Sequence, residues 1–447
     1  MIGSNPKHDF PLHQAGAASL LIYLMLAWCS HNTQLMTLSL FFLTMLGAGC
    51  LLGVTFYRYR QRNLSPSLFG IMFWATAFRI IGIYGLPIFE DDFYRYLWDG
   101  FQFWSTGDPY SLAPSAFFTD NSVPITFQKL LDGINYPDIP TIYAPTLQYS
   151  FLLGHWITPG DVLGLKLIYV LTDLLLIYVL DKISPYRLLI LLYAWNPLVI
   201  KEIAFTAHPD GFGVFFLVAA YFFSLKSQST ILKNTALKNT ATMVFLAIGI
   251  CAKPFAWFIA PFIIFRLPLR YIPVLIGTVV LLYLPFVLHS TGVLTGLLAF
   301  GRDWQFNAAI FSLLALFAPV KIAKLLSVGL FIGVYLIYFL QFVQQRNKTI
   351  RFDWILAGLL FCSPVINPWY WLWVLPFGVL FPSRWIWISS FALLLSYVCG
   401  INTNNPNLAP YQLEWWVAGV EYGIIALAIV WDSMTKKPML PEEPLRY

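Results

Sequence analysis

The densest chemistry in the sequence lies in Phe89-Glu90-Asp91-Asp92-Phe93-Tyr94-Arg95-Tyr96-Leu97-Trp98-Asp99-Gly100, where three carboxylates stand side by side. Adjacent carboxylates repel one another, so at least one pKa is raised and a base poised to accept a proton becomes available. If the stretch runs on as a helix, Asp91, Arg95 and Asp99 are spaced i, i+4, i+8 and share one face, while Phe93, Leu97 and Trp98 lie on a membrane surface. Acids also suit the start of a helix, so a solvated N-terminus fits the same residues.

Other groups with chemical potential are scattered. Lys253 precedes Pro254 inside an apolar stretch, where a charge needs either a use or a route to the headgroups. Arg302 stands beside Asp303, as a free cation or as half of a pair. His208 and Asp210 share a His-Pro-Asp-Gly turn; they supply two ligands at most, and Pro-Asp-Gly is a common turn. Trp369, Tyr370 and Trp371 offer either a stacking platform or an interfacial aromatic belt. No cofactor is expected; a divalent metal stays open but is not supported by ligand spacing. The cysteines show no paired spacing and no CxxC, so neither a disulfide framework nor a zinc site is suggested. Arg79 and Asp173 fall inside apolar runs and are expected to pair. Lys201 and Glu202 end a run and read as a surface pair of little worth.

The elements that must position these residues follow from composition. Of 447 residues, 59% are hydrophobic and only 11% charged, with a mean hydropathy of +0.70. That excludes a soluble enzyme, a disordered chain and a nucleic-acid binder, and indicates an all-α polytopic membrane protein. At roughly 20 apolar residues per span, about 11–14 transmembrane helices are expected. Lys7, His8 and Asp9 precede the first apolar run without a small-residue cleavage site, so that run reads as a retained helix.

The net charge of +6 reports topology rather than affinity for polyanions. Arg58, Arg60 and Arg62 mark one cytoplasmic gap. Further basic sites at Lys182, Arg187, Lys226, Lys233, Lys238, Arg266, Arg270, Arg346, Lys348, Arg351, Arg384, Lys436 and Lys437 mark others. The segment from Glu90 to Ile142 holds eight acids and two bases, which assigns it to the far side, the periplasm or an equivalent lumen, as a large first loop. This scheme makes 145–157 a short interfacial or re-entrant helix and splits 240–267 at Lys253-Pro254. The tract from Lys226 to Thr240 reads as a cytoplasmic loop. The loop through Gly107-Asp108-Pro109-Tyr110 and Asn135-Tyr136-Pro137-Asp138 is rich in proline and aromatics, so it is expected to be an ordered cap with faces suited to sugar rings.

A run of acids ending a span, an interfacial helix, a Gly-Asp turn and a Tyr-x-Pro helix resemble the integral-membrane glycosyltransferases of the GT-C superfamily. Within it, the chain is similar to the polyprenol-phosphate-hexose-dependent branch that includes the phosphatidylinositol-glycan mannosyltransferase and the lipid A aminoarabinose transferase. Trp195-Asn196-Pro197-Leu198, Ala207-His208-Pro209-Asp210-Gly211, Trp304-Gln305-Phe306-Asn307 and Ser363-Pro364-Val365-Ile366-Asn367-Pro368-Trp369-Tyr370 carry the resemblance onward.

It covers residues 66–400 as a catalytic module containing the loop 90–160. Residues 1–65 form a two-helix extension, and residues 401–447 form a last loop, helix and cytoplasmic tail. The resemblance implies a hexose, by analogy mannose, carried on a polyprenyl phosphate and passed with inversion to an acceptor hydroxyl. The acceptor is a lipid or a glycan, and the site lies on the outer side of a bacterial inner membrane. It places the base at Asp91, with Asp92 beside it and Glu90 extending the usual pair to three, so the choice between Asp91 and Asp92 stays open. A phosphate leaving group calls for a cation rather than a general acid: Arg95, Lys253 and Arg302 are the candidates. Glu90, Tyr94, Asp99, His208, Asp210, Trp369 and Tyr370 complete the expected substrate contacts. The alternative is a transporter or flippase of a polyprenyl-linked sugar or another lipid. Transporters place their charges near the midplane in repeated halves, whereas these acids cluster at one face and no repeat is visible.

Overall fold

The computed structural model describes residues 6–32, 34–225, 234–290, 292–344, 350–403, 405–435 and 439–440. Among them the chain is helical, with no strand and only two isolated bridges. The basic residues Lys226, Lys233, Arg346, Lys348, Lys436 and Lys437 lie outside the described residues, as do the side chains of Lys7 and His8.

The helices in chain order begin with α1 (Pro6–Ser30), α2 (Leu38–Gln61), α3 (Leu68–Tyr84), α4 (Asp92–Thr106), α5 (Ile125–Leu131) and α6 (Pro145–Ile157). Next come α7 (Leu163–Ile183), α8 (Arg187–Ala194), α9 (Pro197–Ile200), α10 (Asp210–Ser224), α11 (Thr235–Ile250), α12 (Ala260–Ile264) and α13 (Ile272–His289). The last are α14 (Thr295–Asp303), α15 (Ile310–Ala315), α16 (Val320–Val343), α17 (Phe352–Cys362), α18 (Leu375–Gly378), α19 (Trp385–Ala392) and α20 (Trp415–Met434).

Six helical stretches among the described residues are long and apolar enough to cross a membrane. A seventh is counted if Arg187–Ala194 and Pro197–Phe205, bent by 45° at a break, form one broken span, and five shorter apolar helices of 10–17 residues accompany them. The protein is therefore an all-α polytopic membrane protein. The short helix expected at 145–157, interfacial or re-entrant, is α6, a helix opened by Pro145 at its first turn. Its 13 residues span only about 20 Å, short of the roughly 30 Å hydrocarbon layer. The expected break at Lys253 is also present: α11 ends at Ile250, Lys253 is extended, and Pro254 opens a 3₁₀ turn. Of the tract 226–240 expected as a loop, residues 235–240 instead form the start of α11, which Asn234 caps by accepting from the amides of Ala236 and Leu237.

The chain forms two compact units. The terminal unit comprises residues 1–77, 180–199 and 305–446. In it α1 packs on α2, α2 on α8, and α16 on α15 and α17, with α19 on α20. Two of the segments singled out in the sequence meet here, because Phe306 N–H donates to Pro364 O and Ile366 N–H donates to Phe306 O. Trp195 donates to Ile71 O, and Asn196 donates to Ser390. Each removes an otherwise unpaired polar group from an apolar interior.

The acidic-loop unit comprises residues 78–179 and 200–304. Here α4 packs on α6, α10 on α11, and α11 on α13. α7 is the most buried of the long apolar helices, with 56% of its most apolar stretch inside the protein, against 11% for the stretch containing α13. That burial explains the polar residues α7 carries. Arg79 and Asp173 pair as expected, at 2.6 Å and with both side chains fully buried. Lys166 donates to the carbonyls of Gly82, Ile83 and Gly85, satisfying the acceptors left free at the end of α3. Together these contacts fix the point where α3 hands over to the acidic loop.

Candidate active site

The path into the site begins with a strained backbone. Phe89 has φ +55°, a left-handed conformation that a bulky side chain rarely adopts. It turns the chain out of α3 so that Glu90 and Asp91 precede α4 and Asp92 opens its first turn. Gly107, at φ +74°, closes α4 in the same conformation at no steric cost. Ala207 (φ +56°) and Tyr136 (φ +48°) repeat the strain next to His208 and Asn135. Three of the non-glycine residues in this conformation thus flank the same side chains, and strain of this kind collects at functional sites.

Glu90, Asp91 and Asp92 each offer a carboxylate oxygen within 4.8 Å of the others. Acids crowd in this way without a metal as well, and the arrangement alone assigns none. The three are not equivalent. Asp91 accepts from the amide of Asn135 at 2.5 Å. Glu90 faces His208 Nε2 at 3.6 Å. Burial lifts the Glu90 carboxyl well above the usual range, against the opposing pull of Lys201. Asp92 is pushed up to about 7, chiefly by burial and then by the Asp91 carboxylate, while Lys253 acts the other way.

The opposite wall is built by the turn before α10. His208 and Asp210 are fully buried. Tyr96, one turn along α4 from Asp92, places its hydroxyl 3.0 Å from His208 Nδ1 and 3.5 Å from Asp92 Oδ2. Burial holds His208 well below its ordinary pKa, with Lys201 and Lys253 adding to the effect, so the ring is neutral. Lys253 Nζ donates to both carboxylate oxygens of Asp210, at 2.7 and 2.8 Å. The break at Lys253-Pro254 therefore brings a cation to the acids, and Asp210 holds it there.

Lys201 and Glu202 overturn the expectation of a surface pair. Both side chains are fully buried, in a single π-helical turn, Lys201–Phe205, that ends the broken span. Their separation is 3.2 Å, and Glu202 Oε2 also lies 3.6 Å from His208 Nε2. Gly82 admits this turn against α3: a Cβ there would come within 2.5 Å of Ala204 Cβ. Two adjacent charges within the apolar run 197–205 were a signal of burial available in the sequence. Tyr96 and Asn135, by contrast, carry no such signal; only the fold brings them to the acids.

Other expected residues have different surroundings. Arg95 donates to Asp99 at 2.8 Å and to Ile139 O through two nitrogens at 3.0 Å. Asp99 also accepts from Thr141 and Gln148. These two therefore bind the returning limb of the loop to α4. Tyr110 adds to this tie by donating to Tyr143 O. Tyr94 packs against Phe93, with ring centroids 4.1 Å apart and the planes tilted by 32°. Leu97 and Trp98, expected on the membrane surface, are instead buried in the protein, where Trp98 donates to Gln102 and packs on Phe117. Arg302 is exposed and pairs with Asp303 at 2.7 Å. Trp369 and Tyr370 belong to the terminal unit, buried and edge to face with one another.

Within the acidic-loop unit, five carboxyls (Glu90, Asp91, Asp92, Glu202, Asp210) thus face two lysines and one neutral imidazole. Such an excess keeps some of the acids protonated and leaves one poised to exchange a proton near neutrality. No curated protein and no solved structure matches the chain. Residues 13–268 match the family described as alpha-(1->6)-mannopyranosyltransferase, N-terminal domain, a stretch that includes α2 and all five acids. This match covers more than half of the chain, which therefore belongs to the alpha-(1->6)-mannopyranosyltransferase family.

Proposed function

We propose that the protein transfers mannose from a polyprenyl-phosphate donor to an acceptor hydroxyl, in a single displacement with Asp92 as base. The observation that carries this reading is the poise of Asp92, pushed up to about 7 within 3.5 Å of Tyr96 and acted on electrostatically by Lys253. A base is most effective when its pKa lies near the working pH. Asp91, already bound to Asn135, is the less available of the pair.

In the reaction the acceptor oxygen attacks the anomeric carbon, the bond from that carbon to the phosphate oxygen breaks, and the acceptor proton passes to Asp92. The leaving polyprenyl phosphate gains negative charge, which Lys253 offsets without donating a proton. Inversion that yields an α linkage requires a β-linked donor. The reading places the acid mouth on the periplasmic or outer side, where polyprenyl-linked sugars are used.

Purified protein is to be given radiolabelled mannose on polyprenyl phosphate or on a nucleotide, together with a lipid extract as acceptor. Transfer from the lipid-linked donor alone, giving a product cleaved by an α-(1→6)-specific mannosidase, is expected. Lys253→Ala should weaken donor binding at least ~10-fold, the scale of one charge-assisted contact. Transfer from the nucleotide sugar, or unchanged donor affinity in Lys253→Ala, would contradict the donor assignment.

A further inference from the structure

The mechanism has a base and a cation but no group that holds the acceptor, and an aromatic pair beside Asp91 is unused. We propose that Tyr136 and Trp304 form the subsite that holds the ring of an acceptor hexose, with its 6-hydroxyl turned toward the acids. The inference deepens the transferase reading and rests on it for the chemistry of the ligand.

Tyr136 is strained, and burial does not offset the strain. Its φ of +48° lies in the left-handed region that a bulky side chain rarely enters, yet 46% of its surface stays exposed. Glycine would make the same turn freely. What Tyr136 adds at this position is therefore its ring, presented to the outside.

Trp304 supplies a second wall. It follows α14, packs on Phe300 one turn earlier with ring centroids 5.4 Å apart, and lies 4.4 Å from the Tyr136 ring. The planes of Tyr136 and Trp304 are 58° apart, so neither ring lies flat on the other. A pyranose has an apolar C–H face, and pockets for such ligands are lined by aromatic side chains with a few polar groups.

Both walls are fixed to the helix that carries the acids. The Tyr94 ring lies over Gly133, where an added Cβ would come within 2.8 Å of it, and Asn135 donates to Asp91. The turn bearing Tyr136 is thus fastened to the start of α4. On the other side, Gly296 of α14 meets the carbonyl oxygens of Pro140 and Thr141 so closely that a Cβ would clash. Arg95 and Asp99 tie this same limb to α4, through Ile139 O and the Thr141 hydroxyl.

The surrounding charges put the pair on the acceptor's side. Asp91 is the carboxylate that acts on the Tyr136 phenol, adding to burial in raising it, whereas Asp92 is acted on by both Asp91 and Lys253. Asp92 is thus placed between the aromatic pair and the lysine assigned to the leaving phosphate. A displacement in line needs this order, with the acceptor on one side of the anomeric carbon and the phosphate on the other. An α-(1→6) linkage forms on a hydroxyl one carbon outside the ring, so the ring can rest on the aromatics while that oxygen reaches the acids.

The test is binding, read without turnover, of α-(1→6)-linked mannotriose to the purified full-length protein, beside binding of polyprenyl-phosphate mannose. Tyr136→Gly and Trp304→Ala are each expected to weaken trisaccharide binding at least ~10-fold, the scale of a lost aromatic contact, with donor affinity unchanged. Tyr136→Phe keeps the ring and should bind nearly as the wild type does. Because glycine suits the left-handed backbone, Tyr136→Gly should melt within about 4 °C of the wild type. Trp156, exposed at the end of α6, is the comparison for an interfacial aromatic, and Trp156→Ala should bind both ligands normally.

No trisaccharide binding by the wild type, or an affinity unchanged in Tyr136→Gly and Trp304→Ala, would overturn the inference. So would a parallel fall in donor affinity, which would give the pair to the donor, or an equal loss in Trp156→Ala, which would make the effect one of the membrane interface. Should Trp304→Ala fail to fold, Tyr136→Gly and Tyr136→Phe decide. Transfer assays on the same preparations separate the two claims: a wild type that transfers no mannose contradicts the transferase reading, whereas normal transfer with trisaccharide affinity unchanged in both variants contradicts only the subsite.

Discussion

At the scale of single residues, the account turns on carboxyls that burial has made hard to ionise. The sign of this effect on stability follows directly. The Asp92 carboxyl is raised from 3.8 to about 7 in the folded protein, so the folded state holds a proton that the unfolded chain releases from pH 4 upward. Stability is therefore lost as pH rises through that window. Asp92→Asn, which cannot ionise, should melt above the wild type at pH 8, by up to roughly 4 kcal/mol, and match it at pH 4. An equal difference at both pH values would show that Asp92 is not held protonated by its surroundings. The acid triplet, Lys253 and the His-Pro-Asp-Gly turn were legible from residue type and spacing, because charges in an apolar chain stand out. Lys201 and Glu202 are legible as charges, and their place in an apolar run points to burial, but opposite signs in adjacent positions read as a surface pair; packing buries them against His208.

At the scale of elements, the breaks were easier to read than the faces. Pro145 and Pro254 mark the starts of a short helix and of a turn, and both stand where the prolines require. The face of α4 was misread because an apolar stripe is the same whether it meets lipid headgroups or another helix; Leu97 and Trp98 meet protein. What lets α4 lie so close to α6 is Gly100, whose added Cβ would come 2.5 Å from the backbone oxygen of Phe151. Backbone cannot yield as a flexible side chain can, so Gly100→Ala should push α4 off α6. The expected cost is about 1–3 kcal/mol in stability, together with a loss of transfer activity. A variant that melts and transfers like the wild type would show that the α4 and α6 contact does not hold the acids in place.

At the scale of the whole molecule, composition alone gave the class, since no soluble architecture tolerates so few charges. The sidedness of the acidic loop rests on the distribution of basic residues, and it can be measured. Thr119 is exposed in that loop, and Cys50 is the exposed native cysteine. In a Cys50→Ser background, Thr119→Cys in intact cells should react with an impermeant thiol reagent; labelling only after lysis would reverse the topology. The central claim, that a mannosyltransferase of this family uses Asp92 as its base, is tested most directly by mannosyl transfer in Asp92→Asn and Asp91→Asn beside the wild type, each with donor binding measured separately. Asp92→Asn is expected to lose about 10²–10⁴-fold in rate with donor affinity kept, and Asp91→Asn to retain the larger share of activity. Transfer undiminished in Asp92→Asn and abolished in Asp91→Asn would contradict the account.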